Sequence, residues 1–112
     1  MFKVGDILFG DHGYSMELPT WYKVEKVTKT QVVVTKLEDR VVSSDAYGQS
    51  GYKMPSNCTI PSKNYRCKVK SYNGQEYVTI KDNIFGLWDG SEKSFNYLDW
   101  FFVKSVYNIY IR

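Results

Sequence analysis

Few side chains in this sequence are suited to acid–base or nucleophilic chemistry. The single histidine, His12, follows Asp11, and an Asp–His pair can orient a general base when a nucleophile or substrate is held nearby. Adjacent residues in a glycine-flanked turn rarely face each other, so we expect His12 to be a solvated turn residue. Nothing beside Cys58 would activate its thiol, and Cys67 is expected to pack inward as a small apolar side chain. We therefore assign no catalytic residue.

Established catalytic and metal-binding motifs are absent from the sequence. It contains no Walker loop, no GxGxxG, no HExxH and no Gly-x-Ser-x-Gly. Its two cysteines and one histidine are too few to fill a four-coordinate zinc site, and its acidic residues are scattered over turns. The sequence predicts a protein that is not an enzyme and that uses no cofactor and no metal.

Positive charge is concentrated near the middle of the chain. No Asp or Glu occurs from Ala46 to Gln75, although the net charge of the whole chain is only +3. Such a local field favours anionic partners. The candidate residues for binding phosphates of nucleic acid are Lys63, Arg66, Lys68, Lys70 and Tyr72. Two interpretations stay open: an ordinary solvated strand face, or a phosphate-binding surface on which Tyr52, Tyr65 and Tyr72 stack against bases.

Aromatic residues are concentrated at the C-terminus. Nine of them lie between Phe85 and Tyr110, more than the core of a small barrel can hide together with its aliphatic side chains. In an extended Trp100-Phe101-Phe102 segment, at least one ring must point outward because neighbouring side chains alternate between faces. These three residues are therefore the candidate surface for a protein partner. The alternative is that the C-terminal strand folds back and covers them.

The periodicity that must position these residues is two, as in β-strands. Trp21–Thr28 and Gln31–Leu37 read as a hairpin turning at Lys29-Thr30, with a bulge near Glu25-Lys26. Tyr65–Lys70 alternates inward and outward side chains, and Asn73-Gly74 is typical of a type I′ hairpin turn. The remaining expected elements are a first strand at 6–9, a loop at 10–20, a turn at Glu38-Asp39, a strand at 40–44, a loop at 45–63, strands at 77–80 and 84–88, a helical turn at 94–100 and a last strand at 102–112.

Short strands separated by frequent turns predict a single all-β domain over residues 1–112. The fold class that fits best is a small SH3-like barrel with an extra C-terminal strand. An OB-like barrel is the runner-up, but it needs a helix that the segment at 45–63 is too rich in Gly, Pro and Ser to form. No apolar run approaches the roughly 18 residues of a membrane span, and no signal peptide is recognisable, so we expect a cytoplasmic protein without a membrane partner.

Three segments together resemble a known family. They are His12-Gly13-Tyr14, the strand from Trp21 to Thr28, and Leu87-Trp88-Asp89-Gly90. They are similar to a family of small phage- and prophage-encoded proteins of unassigned function, over residues 4 to about 97. The resemblance implies phage origin and a compact β fold, and it carries over no catalytic residue. The chain departs from the family pattern at 15–17 and in its extension past Tyr97.

These observations predict a non-catalytic binding protein. The first hypothesis is a phage-derived protein in the host cytoplasm that occludes a surface of a host or phage protein, such as the nuclease of a defence system or another nucleoprotein complex. The alternative hypothesis is a β-barrel that binds nucleic acid directly through its basic strand face. Salt dependence separates the two, because counterion release makes phosphate binding steeply salt-dependent.

Overall fold

The computed structural model describes residues 1–12, 18–48 and 50–96 of the chain, and these form strands and no helix. In chain order the strands are β1 Ile7–His12, β2 Leu18–Val27, β3 Gln31–Ser44, β4 Ser50–Lys68, β5 Lys70–Tyr72, β6 Gln75–Ile80, β7 Asn83–Leu87 and β8 Lys93–Asn96. The all-β prediction is confirmed. Within the described ranges, no helix has the length and apolar character needed to cross a membrane.

All eight strands belong to one antiparallel sheet in the order β5-β6-β7-β1-β2-β3-β4-β8. The sheet is curled, because Val69 alone separates β4 from β5 although these strands lie near opposite ends of the order. The two end strands of that order, β5 and β8, do not pair with each other, so the described strands do not close into the predicted barrel. The SH3-like or OB-like details stay predictions.

Several local predictions are confirmed. β2 and β3 form the hairpin around Lys29-Thr30, and their register shifts between Val24 and Lys26, where the bulge was expected. Asn73 and Gly74 both have positive φ, 51° and 79°, as a type I′ turn requires. In the segment that ends β4, Cys67 is buried while its neighbours on both sides are exposed.

Two predicted breaks in the sheet are wrong. β3 runs straight through the expected turn at Glu38-Asp39, and β4 occupies most of the expected loop at 45–63. The two strands pair from Gln31 opposite Lys68 to Ser44 opposite Gly51, so each satisfies the backbone hydrogen bonds of the other. This long-range pairing outweighs local turn preferences. Three register shifts along the ladder make it irregular enough to accept two prolines, which lack an N–H donor.

The expected connections near both ends of the described chain also differ. β1 extends to His12 and β2 begins at Leu18, so strand replaces much of the loop predicted at 10–20. The start of the predicted helical turn at 94–100 is strand β8, which pairs with the first residues of β4. The rest of that turn and the predicted strand at 102–112 lie outside the described residues.

The sheet buries apolar side chains on both faces. Trp21 and Tyr22 are neighbours in β2 and point to opposite faces, yet they are 0% and 5% exposed. On the Tyr22 face, one buried cluster draws on six strands: Phe2, Leu8, Tyr22, Val24, Val32, Val34, Cys67, Val78, Ile80 and Phe85. On the Trp21 face, the indole ring lies 5.7 Å from the ring of Phe9 and 6.4 Å from that of Trp88, centroid to centroid.

Candidate functional site

The basic row, defined as Arg66, Lys68 and Lys70, runs outward along the end of β4 and into β5. The pleat of a strand places alternate side chains on opposite faces, so burial of Cys67 turns Arg66 and Lys68 to solvent. Lys70 is also exposed, and Tyr72 beyond it keeps 73% of its surface accessible. The predicted outward direction of Arg66, Lys68 and Lys70 is confirmed, since all three are exposed.

The charges of the basic row are not neutralised by neighbouring carboxylates. Among the described residues, none of its three side chains forms an ion pair. The Arg66 guanidinium donates a 3.3 Å hydrogen bond from Nη1 to Oε1 of Gln31, which orients the group without compensating its charge. Three uncompensated cations side by side create a positive field that favours an anionic ligand.

Lys63 does not belong to the basic row. It lines a small cavity together with Tyr65, which packs on the Tyr22 face, whereas Arg66 and Lys68 lie on the opposite side of β4. The Tyr65 ring also stands edge-on to the Tyr22 ring, 5.9 Å between centroids, so it is not a free stacking platform. Tyr52 is exposed but lies at the other end of β4. Of the three tyrosines proposed to stack on bases, Tyr72 alone adjoins the basic row.

An apolar groove on the outer side of β5, β6 and β7 was not predicted from the sequence. It has a volume of about 440 Å³ and is lined by Tyr72, Tyr77 and Ile84 among others. Ile84 remains 65% exposed although its strand neighbour Phe85 is buried. Gly86 lies directly opposite Tyr77 and offers no side chain, which leaves the groove open. The sequence signal that could have revealed this groove is the pair Ile84-Phe85, because strand alternation turns one of two neighbouring large apolar side chains outward.

The cysteines and Asp11 occupy different environments in the described part of the chain. Cys58 is exposed and Cys67 is buried, and burial raises the pKa of the Cys67 thiol, which disfavours the reactive thiolate. The Asp11 carboxylate accepts a 3.1 Å hydrogen bond from the backbone N–H of Leu18. The backbone of His12 pairs with Leu18 in the sheet, so the expected turn at this residue is wrong.

The Trp88-Asp89-Gly90 segment organises the connection between β7 and β8. The Asp89 carboxylate accepts hydrogen bonds from the Ser91 hydroxyl at 2.7 Å, the Ser91 backbone N–H at 3.0 Å and Lys93 Nζ at 3.1 Å. These donors, the Ser91 hydroxyl first, hold the pKa of Asp89 well below its usual range. The Trp88 indole donates to the Ser91 carbonyl at 2.9 Å. Asp89 is therefore ionised at neutral pH, and its hydrogen bonds stabilise the turn between β7 and β8.

Two further expectations concern metal ligands and the C-terminal aromatic residues. In the described part of the chain, no three His, Cys, Asp or Glu side chains are gathered as metal ligands would be. Trp100, Phe101 and Phe102, the predicted protein-binding surface, lie outside the described residues, so that prediction stays a prediction.

Comparison of the chain with protein-family models, curated proteins and solved structures finds no match.

Proposed function

We propose that the protein is a non-catalytic, phage-derived nucleic-acid-binding protein of the host cytoplasm. The observation that best supports this proposal is the basic row. Its three cations face outward from one short stretch of backbone, and none has a carboxylate partner among the described residues. Residues two apart in a strand are separated by about 6.6 Å, so the three cations follow one another along the chain and can contact successive phosphates of one nucleic-acid strand.

Exposed Tyr72 supports a single-stranded target in particular. It follows Lys70 by two residues in β5, so its ring lies at the end of the basic row. Stacking of a base on an aromatic ring tolerates any sequence, whereas bases in a duplex are already stacked on one another. The basic row would bind the phosphates of the nucleic-acid strand, while the Tyr72 ring stacks against an unstacked base.

Charge reversal tests this function. Lys68→Glu with Lys70→Glu changes the local charge by four units and leaves inward Cys67 untouched. We expect roughly tenfold or greater loss of affinity for a single-stranded oligonucleotide at low salt, and a slope of log K against log[salt] shallower by about 1.4. Fluorescence anisotropy with a labelled oligonucleotide over a salt series measures both quantities. Circular dichroism should show an unchanged fold, because outward strand positions usually change stability by less than about 0.5 kcal/mol.

Arg40→Glu supplies the matched control for a single reversal at Lys68. Arg40 is exposed and lies toward the far end of β3, where Asp39 pairs with Pro55, well away from the basic row. It should leave binding unchanged, whereas Lys68→Glu should weaken it. Equal effects of the two variants, or no binding by the wild-type protein, would contradict the proposed function.

A second candidate function is favoured by the apolar groove. Occlusion of a host or phage protein, such as a defence nuclease, needs exposed apolar surface at its centre, and Tyr72 and Ile84 are 73% and 65% exposed. Trp100, Phe101 and Phe102, which lie outside the described residues, stay the protein-binding surface predicted from the sequence. In this case binding depends weakly on salt and survives reversal of the basic row.

Ile84→Asp tests the protein-binding alternative. The acid places a charge in the groove, so a protein captured through it should be lost, by about tenfold or more in affinity. Val42→Asp, an exposed position on β3 away from the groove, is the control. Affinity purification from the host, followed by titration of the captured protein with each variant, gives the readout. A partner retained equally by both variants excludes the groove as its binding surface.

A further inference from the structure

A small basic cavity lies on the Tyr22 face, between the middle strands of the sheet and the turn that joins β6 to β7. Its volume is about 110 Å³, and its lining includes Lys36, Lys63, Lys81, Tyr22, Tyr65 and Asn83. The three lysines come from β3, β4 and the turn, so the fold rather than the local sequence brings them together. No part of the basic row lines this cavity.

The charged residues that line the cavity are all positive. Among the described residues no carboxylate lines it, and none of its three lysines forms an ion pair. Lys81 Nζ lies 5.8 Å from the centroid of the Tyr65 ring, which directs the ammonium group back toward the lining. Asp82 is adjacent in the turn but is not part of the lining. Like charges around one small space repel each other unless an anion is placed between them.

The uncharged polar groups of the lining are suited to the same ligand. Burial raises the pKa of the Tyr22 hydroxyl, first through desolvation and then through Tyr65 and Cys67, so this phenol stays neutral and can donate a hydrogen bond. The Asn83 amide donates to the Lys81 carbonyl at 3.2 Å, which leaves a second N–H on the same nitrogen. Cations and neutral donors together are what an oxyanion requires.

The backbone at Lys81 points to a role beyond folding. Lys81 and Asp82 form the two-residue turn between β6 and β7 with φ of 51° and 67°. Glycine and asparagine adopt such left-handed conformations most readily, and a lysine there is strained. Strained non-glycine residues persist most often at functional sites. Lys81 thus occupies a turn position that other residues would form better, and its ammonium group lies beside the Tyr65 ring of the cavity lining.

We propose that this cavity binds a phosphomonoester, a single phosphoryl group held by the ammonium groups of Lys36, Lys63 and Lys81. Its volume is well below the roughly 300–1,000 Å³ of clefts that enclose whole drug-sized ligands, so it fits one oxyanion and leaves the rest of the ligand outside. The site lies on the other side of β4 from the basic row and does not depend on it. The phosphoryl group belongs either to a small phosphorylated molecule or to a nucleic-acid end.

Inorganic phosphate is the first probe. Titration calorimetry should detect its binding to the wild-type protein, and Lys36→Gln with Lys63→Gln should weaken that binding about tenfold or more, because two of three charge-assisted contacts are lost. Lys68→Gln with Lys70→Gln removes the same charge from the basic row and should leave phosphate affinity unchanged. Equal weakening by both pairs, or no phosphate binding by the wild-type protein, overturns the proposal.

Lys81→Asn separates binding from folding. Asparagine accepts the left-handed turn more readily, so the melting temperature should rise by a few degrees. Phosphate affinity should nevertheless fall, because the ammonium group is gone. A variant that is both more stable and deficient in binding cannot be explained by unfolding. Unchanged phosphate affinity in this variant would count against Lys81 as a ligand and against the site as proposed.

Oligonucleotides with and without a 5′-phosphate distinguish the two sources of the phosphoryl group. A gain in affinity from the 5′-phosphate that is lost in Lys36→Gln with Lys63→Gln identifies a nucleic-acid end as the ligand. Phosphate binding with no gain from the 5′-phosphate identifies a small phosphorylated molecule. The variants of the basic row are measured in parallel. If the cavity does not bind phosphate, phosphate titration shows no binding; if the proposed function is wrong, reversal of the basic row leaves oligonucleotide affinity unchanged.

Discussion

Replacing Trp21 by alanine is expected to lower the free energy of unfolding by about 3–5 kcal/mol. The indole ring is fully buried and contacts the rings of Phe9 and Trp88 at 5.7 and 6.4 Å between centroids, so truncation empties much of the Trp21 face. Domains of this kind have about 5–15 kcal/mol of stability in total. Urea titration followed by far-UV circular dichroism should show a large fall in the transition midpoint.

Trp21→Phe is the matched control for this prediction. Among the described residues the buried Nε1 of Trp21 has no hydrogen-bond partner, and leaving a buried donor unsatisfied costs roughly 1–3 kcal/mol. Phenylalanine has a smaller ring, which loses packing contacts, but it also removes the unsatisfied donor, which recovers free energy. These two effects partly cancel, so the net loss in the free energy of unfolding should stay under about 1.5 kcal/mol. A loss below about 1 kcal/mol for Trp21→Ala would show that the Trp21 face is not a packed layer.

Local signals in the sequence were sufficient for part of the fold. The type I′ turn at Asn73-Gly74, the hairpin at Lys29-Thr30 and the bulge near Glu25-Lys26 were all predicted, because each depends on the φ preference or the alternation of a few adjacent residues. The outward direction of the basic row followed from the same alternation. Features encoded within about ten residues were therefore accessible to sequence reasoning.

The course of β4 was not accessible in this way. Its sequence contains Gly51, Pro55 and Pro61, which are typical of loops, yet it forms a 19-residue strand. The pairing with β3 that stabilises it depends on residues up to 37 positions away, as for Gln31 opposite Lys68. The described strands leave the predicted barrel open for a similar reason, since closure depends on how the outermost strands meet and not on any single strand.

The basic cavity was missed for the same reason. Lys63 was a predicted site residue, but it was grouped with Arg66 because the two are close in sequence. Lys36 and Lys81 carried no signal of their own, since each is a single lysine, Lys36 within β3 and Lys81 in the turn after β6. The register of β2 against β3 and the curl of the sheet bring them to one place on the Tyr22 face.

Gly10→Ala is the second substitution with a large expected effect, a loss of about 2–3 kcal/mol in the free energy of unfolding. A Cβ atom at Gly10 would lie 2.5 Å from Cδ1 and Cε1 of the Phe85 ring and 2.7 Å from the Ile84 carbonyl oxygen. The ring cannot easily move away, because it is buried and stands edge-on to Tyr22 at 5.0 Å between centroids. Chemical denaturation measures the loss.

Gly86→Ala makes the same chemical change on the neighbouring strand and serves as the control. A Cβ atom there would lie 4.0 Å from its nearest contact, the Glu76 carbonyl oxygen, which is an ordinary van der Waals distance. Alanine also costs less conformational entropy than glycine in a strand, so stability should be unchanged or rise by up to about 1 kcal/mol. If the two variants lose stability equally, the approach of Phe85 to Gly10 is not what makes glycine necessary, and the loss belongs to glycine in a strand generally.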